Sequence, residues 1–280
     1  MTILETDVVF ARPGDMDLLA RIYRSDEKFL AKGIISVHGG AWNKNDRTSI
    51  FVLNRALAAA GLLVLSLDFR QGPDFKHPSA SQDIAAGVRH LRVHAEYYGI
   101  DANDIGIIGS SSGGQLALLA ALAPDSEQYF GTPVVDLQGQ AAARDDVPAG
   151  LSYVLSLWPV SDPLRRYRYA KEVGRDDLLA GHHMYFRDEA QMNEASVPRM
   201  LENREAQVLP PLWLAQPGAD LNVPTAMTLD LLAAYQALDG YVEYVFYPGE
   251  PHAITREDTP SAQRCIRDLL GFIARRLDSQ

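Results

Sequence analysis

Three residues in this chain have types and an order that could do chemistry together: Ser111, Asp220 and His252. Ser111 sits in Gly109-Ser110-Ser111-Ser112-Gly113, a G-x-S-x-G match placed between an apolar run and an Ala/Leu-rich helical pattern. A strand that turns sharply into a helix forces its corner residue into a strained conformation, and flanking glycines let the chain turn without clashing. The corner hydroxyl then stands near the amide of the next residue and the positive end of the helix dipole. A hydroxyl is a weak nucleophile until a base takes its proton. Of the seven histidines, only His252 follows the last strand-like run, in YVEYVFYPGEPHAI. The acid is expected one strand earlier, where PPLWLAQPGADLNVP carries Asp220. Its carboxylate would fix the tautomer of the imidazole and stabilise the imidazolium. Asp162, in LSLWPVSDP, competes for that role, and Asp220 could instead cap the helix expected near Pro224. Ser110 and Ser112 are alternative hydroxyls, but neither has glycine at both −2 and +2.

Acyl transfer through such a serine also needs donors for the oxyanion, each lowering the barrier by about 3–4 kcal/mol. The run GIISV is followed at once by His38-Gly39-Gly40-Ala41-Trp42. Glycines there let backbone N–H groups turn toward a ligand. Gly40 and Ala41 are the expected donors, with the amide of Ser112 as the third and Gly39 shaping the turn. His38 is read as a brace for this loop. Trp42 is expected to line the substrate pocket, and His183 to touch substrate, although a plain polar loop fits His182-His183 equally well. His90 and His94 are spaced i, i+4, which can bind zinc. The intervening LRV lacks a metalloprotease glutamate and no third ligand is evident, so a solvated helix face is preferred. No metal and no cofactor is implied.

The elements needed to position these residues are legible as alternating short apolar runs and helical periods. Strands are expected at 7–11, 17–23, 33–37, 62–67, 105–108, 151–157, 211–215 and 241–247. Helices are expected at 48–60, 79–98, 115–123, 224–238 and 261–277, with Gly61 and Gly99 closing the first two. Such alternation implies a mostly parallel sheet covered on both faces. Residues 125–150 and 162–209 break it. Long connections in a compact domain are usually functional, and 162–209 is read as a cap over the site, with helical pieces around 187–204. The arginines of LRRYRYAK, inside it, suit a solvated face or a carboxylate anchor, the former being preferred.

The chain has 280 residues, 47% hydrophobic and 22% charged, which suits one domain spanning 1–280 with an insertion. A net charge of −10 argues against nucleic acid and anionic membranes as partners, and weakly against anionic substrates. Pocket charge matters more for the last. One cysteine, Cys265, permits no internal disulfide and fits a reducing compartment. Glu5 and Asp7 stand where a signal peptide would be apolar, and no apolar run approaches the roughly 20 residues of a spanning helix. A cytoplasmic protein is expected; a homodimer is left open.

From about Gly33 onward the sequence resembles the hormone-sensitive-lipase-like and kynurenine-formamidase-like esterases of the α/β-hydrolase superfamily. The resemblance is carried by HGGAW, DFR at Asp68–Arg70 with Pro78 and Asp83, YYGID, GSSSGG, PVSDP, PGADLNVP and PGEPHAI. It implies the α/β-hydrolase fold with a helical cap, a triad on Ser111, Asp220 and His252, and an oxyanion hole on Gly40 and Ala41. The serine is flanked by serines where that family usually carries Asp and Ala. The HGG-x-W form looks more like the formamidase and small-ester side. The expected activity is hydrolysis of a carboxylic ester of small or medium size through an acyl-enzyme. An amidase, formamidase or lactonase would use the same triad. A catalytically inactive binding module is the remaining alternative, and an intact triad argues against it.

Overall fold

In the computed structural model, which describes residues 1–277, the chain opens with an antiparallel pair, β1 (Ile3–Ala11) and β2 (Leu18–Ser25). Strands and helices then alternate: β3 (Gly33–Val37), α1 (Phe51–Ala59), β4 (Leu63–Leu67), α2 (Ser79–Val93), the one-turn α3 (Ala95–Tyr98), β5 (Ile105–Ser110) and α4 (Ser112–Leu122). Two-residue strands β6 (Val134–Val135) and β7 (Ala141–Ala142) lie in the connection that follows. After β8 (Tyr153–Leu157) come α5 (Pro163–Glu172), α6 (Asp176–Tyr185), α7 (Glu189–Glu194) and α8 (Val197–Glu202). The chain returns through β9 (Leu212–Pro217), α9 (Thr225–Gln236), β10 (Val242–Tyr247) and α10 (Pro260–Leu277).

Among the described residues all strands join one ten-stranded sheet in the order β10-β9-β8-β5-β3-β4-β2-β1-β6-β7. From β10 to β4 every pairing is parallel. Side chains alternate between its faces. Ile34, Val64, Ile108 and Leu155 meet Leu57 of α1 and Phe272 of α10. Ile35, Leu65, Ile107 and Val154 meet Val88 of α2, Leu119 of α4 and Leu231 of α9. Both faces are therefore covered, which is why β3, β4 and β5 read as unbroken apolar runs rather than alternating ones.

Two expectations need correction. The single helix over 79–98 is interrupted at His94, whose backbone (φ −100°, ψ 18°) leaves the helical region before α3 resumes and Gly99 closes it at φ 70°. The connection 125–150 carries β6, which pairs with Ala11 near the edge of the sheet. A two-residue strand carries no period, so the sequence could not announce it. The helical part of 162–209 begins at Pro163 rather than near 187. Asp162 caps α5 by accepting from the Arg165 amide at 3.0 Å, with Pro163 in the first turn. This occupation also removes Asp162 from contention as the catalytic acid.

Candidate active site

The loops that carry the expected chemistry all leave the carboxyl ends of parallel strands, where an open α/β sheet places its ligand crevice. The loop after β3 carries 38–45, that after β5 carries Ser111, that after β9 carries Asp220 and that after β10 carries His252. Ser111 holds φ 56° and ψ −122°, a left-handed conformation that a serine adopts only when its surroundings impose it. Its amide donates to the Leu157 carbonyl (2.9 Å), and its carbonyl accepts from Val160 N (3.1 Å) and Gln115 N (3.2 Å). The flanking glycines serve close approach. A Cβ on Gly109 would strike the Gly113 carbonyl, and one on Gly113 would strike the Val37 and His38 carbonyls.

His252 Nε2 lies 3.0 Å from Ser111 Oγ, and its Nδ1 lies 2.7 Å from Asp220 Oδ2. The other oxygen of Asp220 accepts from the amides of Asn222 and Val223, both at 2.8 Å. The carboxylate is thus aimed at the imidazole and held there by its own loop. The Asp220 side chain is fully buried, whereas the His252 side chain keeps 19% exposure, its open side facing the cleft. The acid and base loops are tied together. Ala219 N donates to the Glu250 carbonyl (2.9 Å), and Glu250 Oε1 accepts from Ser261 Oγ (2.5 Å).

A cleft of about 300 Å³ opens over Ser111 and His252, and Gly39, Gly40 and Ala41 form part of its wall. Gly40 has φ 124°, and Ala41 (φ 51°) and Trp42 (φ 60°) follow at positive φ, so this loop is wound in conformations that residues other than glycine rarely adopt. Among the described residues the amides of Gly40 and Ala41 have no backbone acceptor. Ser112 begins α4, so its amide has no intrahelical partner. Gly39 passes so close that an added Cβ would stand 2.9 Å from the Ser110 carbonyl. His38 is fully buried, stacked on Phe69 at 4.4 Å, with Nδ1 2.8 Å from the Gly39 carbonyl. Burial pushes its pKa down, so it remains neutral beneath the loop. Asn45 Nδ2 adds a second donor to that carbonyl at 3.1 Å, a contact for which the sequence held no signal.

The structure corrects both expected pocket residues. Trp42 is 1% exposed and does not line the cleft. Its indole N–H donates to Gln115 Oε1 (3.0 Å) and its ring stacks on Tyr185 (5.7 Å), so it fastens the loop to α4 and α6 from below. His183 faces solvent on α6, with Nε2 3.4 Å from Tyr167 Oη, and is absent from the cleft wall. The neighbouring His182 turns inward instead and is buried. His90 and His94 do not form the solvated face that was preferred for them. They are 2% and 6% exposed, and among the described residues no group of three or more His, Cys, Asp or Glu is placed to hold a metal.

Trp158 was not anticipated in the cleft wall, and Arg166 departs from the solvated face preferred for its segment. Trp158, at φ 38° just past β8, forms part of the wall and meets the His252 ring edge-on at 6.3 Å. Arg166 is buried and lines the cleft, whereas Arg165 is half-buried and Arg168 exposed, nearer the solvated face expected of this segment. A signal for Arg166 existed. It falls on the buried stripe of α5 with Pro163, Tyr167 and Ala170, the i, i+3, i+4, i+7 spacing.

Comparison with known proteins gives this geometry a family. The BD-FAE family model matches residues 21–234. The chain belongs to the BD-FAE family. This BD-FAE chain is 27% identical over 225 residues to Esterase LipC of Mycobacterium tuberculosis, covering 78% of the chain and 52% of LipC. It is 33% identical over 166 residues to Ethyl acetate hydrolase of Pseudomonas putida, covering 58% of the chain and 46% of the relative. The chain spans about half the length of these curated relatives. Among solved structures it is similar to Thermogutta terrifontis esterase 2 phosphonylated by sarin (TM-score 0.77, 19% identity, 97% of this chain and 94% of that one). It is also similar to carboxyl esterase 2 from Tuber melanosporum (TM-score 0.74, 18% identity, 96% and 85%). These likenesses show the fold, which is that of the α/β-hydrolase esterases, as the sequence resemblance implied.

Proposed function

We propose that this BD-FAE chain is a serine hydrolase that cleaves carboxylic esters of small or medium-sized substrates. The observation that carries the reading is one continuous path, Asp220 Oδ2 to His252 Nδ1 at 2.7 Å and His252 Nε2 to Ser111 Oγ at 3.0 Å. His252 takes the Ser111 proton as the hydroxyl attacks the ester carbonyl. The new C–O bond puts negative charge on the former carbonyl oxygen, against the amides of Gly40, Ala41 and Ser112. As this intermediate collapses, the bond to the alkoxy oxygen breaks and His252 returns the proton to the leaving alcohol. Water, deprotonated by the same imidazole, then attacks the acyl-enzyme, and the acid leaves with Ser111 restored. Asp220 holds the imidazole in the tautomer that presents a bare Nε2 to the hydroxyl.

Residues 162–209 serve as the cap, since Arg166, Asp177 and Leu178 close one side of the cleft. The relatives' names, Esterase LipC and Ethyl acetate hydrolase, support ester chemistry, as do structures of Thermogutta terrifontis esterase 2 with propionate and with butyrate bound. Amides and lactones would use the same triad and are the substrates to screen next. The protein is read as cytoplasmic. In support, Cys265 is buried and unpaired, and among the described residues no helix is long and apolar enough to cross a membrane. The test is Ser111→Ala, with turnover of 4-nitrophenyl butyrate as the readout. Loss of about 10⁴-fold or more in kcat with an unchanged circular dichroism spectrum is expected. Turnover retained within tenfold would remove Ser111 from the role.

A further inference from the structure

The cleft carries a charge opposite to that of the protein around it. Its charged wall residues, apart from His252, are Arg166, Lys44, Arg256 and Asp177. Asp177 is already held by Arg175 through two bonds of 2.7 and 2.8 Å. Lys44 and Arg256 are exposed at the mouth, and neither has an ion pair among the described residues. Arg166 lies inside at 2% exposure. Its Nε donates to the Asn222 carbonyl (3.1 Å) and to Asn222 Oδ1 (3.2 Å), and Nη2 donates to the same Oδ1. Nη1 is buried, with no hydrogen-bond partner among the described residues. Among the described residues no carboxylate stands within ion-pair distance of this guanidinium. Asp220, whose charge favours the cationic form of Arg166, spends both oxygens on His252 and on the amides of Asn222 and Val223.

A buried cation without a counter-ion is costly to keep, and a neutral side chain could make the bonds to Asn222 without that cost. Burial lowers the Arg166 pKa to about 10 against the opposing pull of Asp220, which leaves the group charged at neutral pH. What a guanidinium offers over a neutral donor is a planar, permanently charged fork that matches a carboxylate. We propose that Arg166 anchors a carboxylate on the substrate, so that this cleft takes an anionic ester with its carbonyl at Ser111 and its free carboxylate against the Arg166 guanidinium. The inference rests on the serine-hydrolase reading given above. Lys44 and Arg256 at the mouth would draw such a substrate in, against the net charge of −10 of the whole chain.

The experiment compares matched esters on the wild-type protein and two variants. Mono-4-nitrophenyl glutarate against 4-nitrophenyl butyrate places the carboxylate on the acyl side. 3-Acetoxybenzoate against phenyl acetate places it on the leaving side. In at least one pair the wild type is expected to favour the anionic ester by about tenfold or more in kcat/KM, chiefly through KM. Arg166→Gln is expected to abolish that ratio. Asn222→Ala, which takes away the brace but leaves the guanidinium, is expected to preserve it whatever happens to the absolute rates. A merely structural Arg166 would slow both esters of a pair alike. The wild-type ratio needs no variant to fold, and competition by free glutarate against free butyrate gives a second reading, with glutarate expected to inhibit at about tenfold lower concentration. Equal or reversed preference in both pairs overturns the proposal, as does a preference that survives Arg166→Gln. Turnover of the neutral esters without anionic preference defeats the anchor alone. Failure to turn over any of the four esters defeats the hydrolase reading and the anchor with it.

Discussion

His252 and His90 are bonded alike and placed oppositely. Each ring has a hydroxyl at Nε2, Ser111 Oγ at 3.0 Å for one and Tyr98 Oη at 2.9 Å for the other. Each has an oxygen at Nδ1, the Asp220 carboxylate at 2.7 Å and the Val135 carbonyl at 3.1 Å. His90 stands on α2, 2% exposed and in contact with the rings of His94 and Phe10. Burial pushes its pKa down to about 3. Such a ring resists the proton that a general base must accept. His252 stands on a loop at the open end of the sheet, and its Nδ1 meets a full negative charge that would stabilise the imidazolium. A hydroxyl beside an imidazole is therefore not enough for catalysis. A carboxylate behind it and a cleft in front of it make the difference.

The largest expected effect comes from making the first histidine's setting resemble the second's. Asp220→Asn replaces the carboxylate by a neutral amide, and a fall of about 10⁴-fold in kcat on a short ester is expected, with the fold retained. A loss below tenfold would show that the charge behind His252 does not matter. Next in size is an acid-induced loss of stability from the buried histidines. Burial lowers His90 and His182 to about 3 and His77 to about 4, below the ordinary value of 6.5. The unfolded chain then binds more protons than the folded one, so their contribution is fully present above pH 6.5 and is lost as pH falls toward 3–4. Urea midpoints measured from pH 7.5 to 4.5 should fall steadily below 6.5; a midpoint flat to pH 5 would show these rings already protonated in the fold. The smallest effect is expected of His90→Leu. It leaves the Tyr98 hydroxyl unpartnered and should cost about 1–3 kcal/mol of unfolding free energy while kcat per folded molecule stays unchanged. A large drop in kcat would mean that the packing of α2 reaches the site.

The same contrast explains what the sequence could and could not disclose. Ser111, Asp220 and His252 were legible because each follows a recognisable strand, and because glycines at 109 and 113 serve a turn in which any Cβ would collide. The central strands were legible because burial on both faces leaves an unbroken apolar run. Trp42, His182 and His183 were not, since neighbours in a loop or short helix can point either way and only the packed structure decides. Trp42 is drawn down by Gln115 and Tyr185, and His182 rather than His183 takes the inward position on α6. Arg166 was misread for a related reason. Its charge hid the fact that it shares the buried stripe of α5 with Tyr167 and Ala170.

Covalent labelling tests the central claim most directly. A fluorophosphonate probe reacts with a serine only where a base activates its hydroxyl and donors receive the phosphoryl oxygen. Mass mapping of the labelled wild type should place the adduct on Ser111 alone, and His252→Ala should slow labelling by about 10³-fold or more. No adduct at Ser111, or a rate indifferent to the loss of His252, would contradict the account.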